Sequence, residues 1–134
     1  MTSKMSIGAR VSGGTNMLTL SRYLVDRFGL KLTVTNSIDE LIESLKYNAM
    51  AVVNVGGNRE GHKGVFSDGG HYLVAAGFYK GQIIVADPGY YNGKYDKSWR
   101  RSVSILTNSL LLASPGIIDK DAENRTPRYY IFRL

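Results

Sequence analysis

Large apolar side chains in the first quarter of the chain recur at four-residue spacing, which predicts a helix from Met17 to Phe28. Thr15 or Asn16 is expected to cap the first turn of this helix, because a short polar side chain there can accept a free amide. Gly29 is expected to end it. The pattern therefore predicts an amphipathic helix near the start of the chain.

A short strand, a second helix and a longer strand are predicted next. The alternating, β-branched segment from Leu32 to Val34 is typical of a strand. Ser37 and Glu40 form a capping-box signature ahead of an apolar helical run. The continuous apolar run from Met50 to Val55 is bounded by turn residues, which predicts a buried central strand.

A β-hairpin is predicted further along, where two β-rich runs, residues 71–79 and 82–87, flank a Lys-Gly turn signal. We expect a three-residue loop, residues 79–81, closed by a glycine in the left-handed conformation. That loop places His71 and Asp87 on one face of the sheet as diagonal neighbours, within reach of a hydrogen bond. A two-residue loop would instead send them to opposite faces.

The histidine and aspartate of this hairpin are the residues that point to chemistry. A histidine oriented by a carboxylate is half of a nucleophilic triad. The sequence holds no cysteine and no serine in a recognisable nucleophile motif, so the other half is missing. A structural interpretation stays open, in which His71 is an edge-strand histidine and Asp87-Pro88 merely ends a strand.

The hairpin resembles the catalytic strands of bacterial double-glycine leader peptidases, which belong to the papain-like cysteine peptidase superfamily. In that family a Gly-His-aromatic-aliphatic strand carries the catalytic histidine, and a following strand ending in Asp-Pro carries the aspartate that orients it. Here these strands read Gly70-His71-Tyr72-Leu73-Val74 and Val85-Ala86-Asp87-Pro88. The resemblance implies catalytic roles for His71 and Asp87, and peptide contacts at Gly69, Gly70 and Tyr72.

Less specific parts of the resemblance extend over most of the chain. The helix exit Phe28-Gly29-Leu30 and the segment from Ile38 to Val53 match the family's helices and the strand before the site. The family usually has a tryptophan after the Asp-Pro, then a further helix and an aromatic terminal strand. Trp99, residues 102–113 and the segment from Tyr129 to Phe132 can fill those places.

The chain also departs from the family, whose nucleophilic cysteine opens a long helix upstream of the matched region. Residues 1–13 show no helical periodicity and are too few for that helix. We therefore expect residues 1–134 to form a single domain without the N-terminal catalytic helix. Whether this chain is an enzyme stays open at this stage, because the family is hydrolytic but no nucleophile is present.

Composition narrows the classes of site and partner. The absence of cysteine removes disulfides, thiolate metal sites and thiol catalysis within these residues. We expect no cofactor and no metal. His62, His71 and Asp68 could be read as metal ligands, but His62 is better explained as a solvated surface residue and His71 as the partner of Asp87. No apolar stretch approaches the length of a membrane span. An extracellular or cell-wall location is expected only if the full-length protein is exported.

Three segments outside the hairpin predict loops. Residues 56–70 hold six of the glycines and match no phosphate-binding motif, so they predict an exposed loop bordering the site. Residues 90–101 interleave aromatic and basic side chains, as nucleic-acid stacking surfaces do, but a loop whose rings pack inward is the favoured interpretation. Residues 114–127 are expected to loop out before the last strand. The net charge of +6 is spread along the chain, which indicates no specific nucleic-acid recognition.

The sequence therefore predicts an α+β fold, a papain-like half in which helices pack on an antiparallel sheet. The first function hypothesis is a fragment or remnant of a cysteine peptidase-like domain, active when a cysteine is supplied upstream. The second is a non-catalytic module that binds an extended peptide in the same cleft. A third is a small basic nucleic-acid-binding domain. Loss of the N-terminal helix should leave an apolar groove beside His71, to be covered by a homodimer partner, the missing N-terminal segment, or residues 1–13 or 114–127.

Overall fold

The computed structural model describes residues 17–134, in which three helices accompany one seven-stranded antiparallel sheet. The helices are α1 (Met17–Phe28), α2 (Ile38–Lys46) and α3 (Pro115–Asp121). The strands are β1 (Lys31–Thr35), β2 (Met50–Val55), β3 (His71–Tyr79), β4 (Gln82–Ala86), β5 (Ser104–Thr107), β6 (Leu110–Ala113) and β7 (Tyr129–Arg133). Their order across the sheet is β1-β7-β2-β3-β4-β6-β5, so β3 is the middle strand. This arrangement confirms the α+β class.

The predicted elements of the first half are confirmed. Helix α1 has the expected bounds, and its predicted N-cap, Thr15 or Asn16, lies outside the described residues. The Ser37 Oγ accepts a hydrogen bond from the Glu40 amide at 3.1 Å, as the capping box predicts for α2. Strands β1 and β2 cover the two apolar runs. Local sequence signals therefore suffice for this part of the fold.

One face of the sheet forms the core. The alternate residues Leu73 and Ala75 of β3 are fully buried against Leu41 of α2 and Ile118 of α3. His71 has the same parity as these two residues, because successive side chains of a strand alternate between faces. The side chain of His71, the first residue of β3, therefore lies on the core face of the sheet.

The β3–β4 turn differs from the prediction, although the predicted pairing of the site residues survives. Tyr79 pairs with Gln82 across a two-residue turn, with φ values of 49° at Lys80 and 81° at Gly81. A two-residue turn alone would separate the two faces, but a register shift between Ala75 and Gly77 inserts one extra residue into β3. The shorter turn would place His71 and Asp87 on opposite faces of the sheet, and the bulge brings them back to the same face.

Two expectations about the last third are wrong. Residues 102–113 form the β5–β6 hairpin instead of a helix, with Ser109 at a φ of 63° in the turn. Residues 114–127 do not simply loop out, because they contain α3. Ser114 caps this helix by accepting a hydrogen bond from the Ile117 amide, and Pro115 occupies its first turn.

The other face of the sheet carries partly exposed apolar side chains, including Val34 and Met50, which are about half exposed. Within residues 17–134, every helix is too short or too polar to cross a membrane.

Candidate active site

The structure brings His71 and Asp87 together at one end of the central hairpin. His71 is the first residue of β3, and Asp87 directly follows β4, where its amide donates to the Ser109 carbonyl at 2.8 Å. His71 Nε2 lies 2.8 Å from Asp87 Oδ1. The predicted contact between the two side chains is therefore present and direct.

The Asp87 carboxylate is buried and accepts hydrogen bonds on both oxygens. Oδ1 accepts from His71 Nε2 and, at 2.8 Å, from the Gly89 amide. Oδ2 accepts from Lys94 Nζ at 2.8 Å and from the Tyr95 hydroxyl at 2.6 Å. Since an ionised carboxylate offers about four lone-pair sites, all of them are used. Both the position and the charge of Asp87 are thus fixed by its surroundings.

These contacts also set the protonation of the cluster. Burial alone would raise the pKa of Asp87, but the hydrogen bonds from His71, Lys94, Tyr95 and the Gly89 amide outweigh it and hold the pKa well below its usual range. Burial and the hydrogen bond to the Asp87 anion raise the pKa of the Tyr95 phenol above its usual range. Asp87 is therefore the anion and Tyr95 a neutral donor.

An anionic Asp87 decides which nitrogen of His71 carries the proton. An ionised carboxylate only accepts hydrogen bonds, so Nε2 must be the donor. In the neutral imidazole the other nitrogen, Nδ1, is then the unprotonated one and can accept a proton. Among residues 17–134, Nδ1 has no hydrogen-bond partner, and the His71 side chain keeps about a fifth of its surface exposed.

Gly89 is required by the packing of the histidine ring. A Cβ atom added at this position would lie 2.9 Å from His71 Cε1 and 3.1 Å from Nε2. Because real Cβ atoms do not approach other atoms this closely, any larger residue would displace the ring. The Asp-Pro-Gly segment therefore supplies the carboxylate, a backbone donor to it and the space for its partner.

An open cavity of about 290 Å³ adjoins His71. Its walls include Ser67, Asp68, Lys94 and Arg100, so it is largely polar and charged. This lining differs from the apolar groove expected beside His71, and residues 1–13, which were expected to cover such a groove, lie outside the described residues. Lys94 and Arg100 are both almost fully buried, and each is paired with an acid.

The three residues expected to contact a peptide lie apart from this cavity. Gly69 and Gly70 are exposed at the end of the loop before β3, and a side chain at Gly70 would meet the Arg125 guanidinium. Tyr72 points to the face of β3 opposite His71, the same face as Tyr130 of β7. None of the three lines the cavity.

A second histidine–aspartate pair fastens the loop of residues 56–70. His62 Nε2 lies 2.7 Å from Asp121 Oδ1, and the amides of Val65 and Phe66 also donate to the buried Asp121 carboxylate. The expectation that His62 is a solvated surface residue is therefore wrong. The pair attaches the loop to the last residue of α3.

Several rings and cations of the aromatic and basic segment at residues 90–101 pack inward, although Tyr91 is about half exposed. Tyr95 is buried, Tyr90 stacks on it with ring centroids 6.2 Å apart, and Lys63 Nζ covers the Trp99 ring at 4.1 Å from its centroid. This arrangement agrees with the packed-loop interpretation. The sequence interpretation missed the roles of Lys94 and Arg100, because no local pattern distinguishes a buried lysine from a solvated one.

Within the described residues, no group of three or more histidine and acidic side chains could hold a metal ion. The sequence matches no protein-family model and no curated protein.

Proposed function

We propose that His71 and Asp87 form the acid–base half of a papain-like peptidase domain that acts on an extended peptide. The observation that carries the proposal is the direction of the His71 hydrogen bond. Nε2 donates to a buried anion, which leaves Nδ1 as the proton acceptor beside an open cavity. A base placed in this way can take a proton from a nucleophile and return it to a leaving group.

The proposed reaction needs a thiol from outside these 134 residues, which contain no cysteine. The thiol sulfur would bond to the peptide carbonyl carbon while its proton passes to His71 Nδ1. That proton would then go to the amine as the C–N bond breaks. Water would hydrolyse the thioester, giving its proton to the thiolate by way of Nδ1. Asp87 holds the ring in one tautomer throughout and stabilises the imidazolium that forms.

The non-catalytic peptide-binding module is the second candidate. The same lack of a thiol favours it, since a cleft without a nucleophile can still hold a peptide. In that case the His71 and Asp87 pair would be a fixed polar wall of the cleft. Tyr90 and Tyr95 pack together and Lys63 covers Trp99, so Tyr91 is the one largely exposed ring of residues 90–101. This leaves little of the stacking surface that motivated the nucleic-acid hypothesis.

The test uses an activated ester, p-nitrophenyl acetate, which does not need a thiol. Nδ1 of His71 should attack the ester carbonyl and release p-nitrophenolate, and water should then hydrolyse the acetylimidazole. His62→Gln is the matched histidine control, and we expect it to react like the wild type, because His62 does not line the cavity and glutamine keeps an N–H donor for Asp121. His71→Gln should react at least about tenfold more slowly, because glutamine has no nucleophilic ring nitrogen.

Nitrogen-detected histidine spectra supply the structural readout for the same proteins. The Nε2–H tautomer is expected for His71 in the wild type, and a mixture of tautomers in Asp87→Asn. An ester reaction that survives His71→Gln unchanged would overturn the acid–base proposal. Peptide-induced shifts at His71 without any His71-dependent ester reaction would favour the binding module instead.

A further inference from the structure

We propose that the cavity beside His71 is a carboxylate-binding subsite in which Arg100 receives an acidic group of the bound peptide. This inference rests on the proposed function for the identity of the ligand as a peptide. The binding of the carboxylate itself is argued from Arg100 and its neighbours alone.

Arg100 is a buried cation with an incompletely satisfied guanidinium. Only about 3% of its side chain is exposed, and it lines the cavity. NH2 donates one hydrogen bond to Asp68 Oδ1 at 2.7 Å, and NH1 makes a long contact of 3.5 Å with the Lys94 carbonyl. Nε is buried and has no acceptor among the described residues. Arginine usually binds a carboxylate with two parallel hydrogen bonds, so the edge formed by Nε and NH2 is half used.

The counter-ion of Arg100 is poorly placed to hold it. The Asp68 side chain is about 70% exposed, so water screens its charge and stabilises it when it swings away. A second carboxylate can therefore replace Asp68 at little cost and reach Nε as well. The buried arginine gains a bidentate partner in that exchange.

The other charges around the cavity favour an anion. Lys94 is neutralised by Asp87 at 2.8 Å, so this pair adds no net charge. Lys63 and Lys97 both lie over the ring of Trp99, the residue before Arg100 in the chain, and neither has an acidic partner among the described ion pairs. A volume of about 290 Å³ is at the lower end of the size of small-ligand pockets, which suits one short group.

A peptide can offer this carboxylate in two ways, as its C-terminus or as an aspartate or glutamate side chain. Three acetylated peptides separate them: Ala-Ala-Ala with a free C-terminus, the same peptide amidated, and amidated Ala-Glu-Ala. Binding is followed by amide and arginine Nε–H shifts in proton–nitrogen spectra. We expect at least one acidic peptide to shift the Arg100 Nε–H signal and the neutral amide to leave it unchanged.

Two variants, each of which removes one exposed carboxylate, test whether Asp68 competes with the peptide for Arg100. Asp68→Asn removes the competing carboxylate and should tighten binding of the acidic peptide by about two- to fivefold, the upper part of the range measured for exposed ion pairs. Asp96→Asn removes the same charge from an exposed residue within residues 90–101, near Arg100 in the chain but without a contact to it, and should leave the affinity unchanged. Arg100→Lys should weaken binding about tenfold, because lysine cannot make the bidentate contact.

Equal affinity for the neutral and acidic peptides would overturn the subsite. An Asp68→Asn variant that binds the acidic peptide no more tightly than Asp96→Asn would also overturn the subsite. This comparison can be made even if Arg100→Lys fails to fold. The ester reaction of His71 does not depend on these outcomes. A failed subsite with an intact ester reaction leaves the proposed function standing, and the reverse result leaves the subsite.

Discussion

Replacing Lys94 with methionine removes the cation that compensates the Asp87 charge while keeping most of the side-chain volume. Lys94 Nζ lies 2.8 Å from Asp87 Oδ2, and only about 5% of the lysine side chain is exposed. At an effective dielectric constant near 20, two unit charges at that distance attract each other by about 6 kcal/mol before desolvation is subtracted. Loss of one partner of a buried pair typically costs about 3–5 kcal/mol. We expect about 3 kcal/mol, because Asp87 keeps its three other hydrogen bonds.

Urea unfolding at pH 7, followed by the fluorescence of Trp99 and by circular dichroism, measures this loss. Lys97→Met is the matched control, since Lys97 is exposed and should change the free energy of unfolding by no more than about 0.5 kcal/mol. The double variant with Asp87→Asn should lose less than the sum of the two single variants, because it buries no unpaired charge. A loss below about 1 kcal/mol for Lys94→Met, or additive single effects, would refute the claim that the pair acts as a unit.

Three further results are expected. The folded pKa of Asp87 lies below its unfolded value of 3.8, so the stability that this carboxylate contributes is complete above pH 3.8 and is lost as the pH falls further. Acid should therefore destabilise the wild type more steeply than Asp87→Asn, by up to about 1.4 kcal/mol per pH unit. Urea titrations in which the two proteins lose stability in parallel would contradict this. Gly89→Ala should displace the His71 ring and lower the rate of p-nitrophenyl acetate hydrolysis. Gly69→Ala should leave that rate unchanged, because a Cβ at residue 69 meets nothing within 4 Å. Equal rates for the two variants would show that Gly89 does not constrain the ring. Asp121→Asn should speed hydrogen exchange at the Val65 and Phe66 amides about tenfold and leave Leu73 unchanged, and unchanged loop protection would argue against the anchor.

The elements that were predictable from sequence are those fixed by neighbouring residues. Helix α2 follows from the contact of Ser37 with the Glu40 amide, three residues away. The β5–β6 hairpin was missed because a short apolar run such as Leu110 to Ala113 suits a helix or a strand equally well without its partners. The parity of His71 and Asp87 was right although the predicted turn was wrong, because the bulge in β3 has no sequence signal as clear as a turn has.

The site residues also divide into those that local sequence can place and those that depend on distant parts of the chain. His71 and Asp87 could be paired because they lie on the two strands of one hairpin, and the resemblance to a family pointed to the same two residues. Lys94 and Arg100 could not be placed, because their burial depends on how the segment after Asp87 folds back over the end of the sheet. A basic residue in such a segment has the same local pattern whether water or a carboxylate surrounds it.

The contact of Asp121 with the loop has a consequence for the order in which the molecule is built. The partners of this carboxylate lie 55 to 59 residues earlier in the chain, whereas His71 and Asp87 are only 16 residues apart. As the chain emerges during synthesis, the hairpin can pair its strands well before α3 exists, but the loop that carries Ser67 and Asp68 lacks its anchor on the Asp121 carboxylate until then. The histidine and aspartate should therefore meet early, while the space beside them takes its final shape among the last steps of folding.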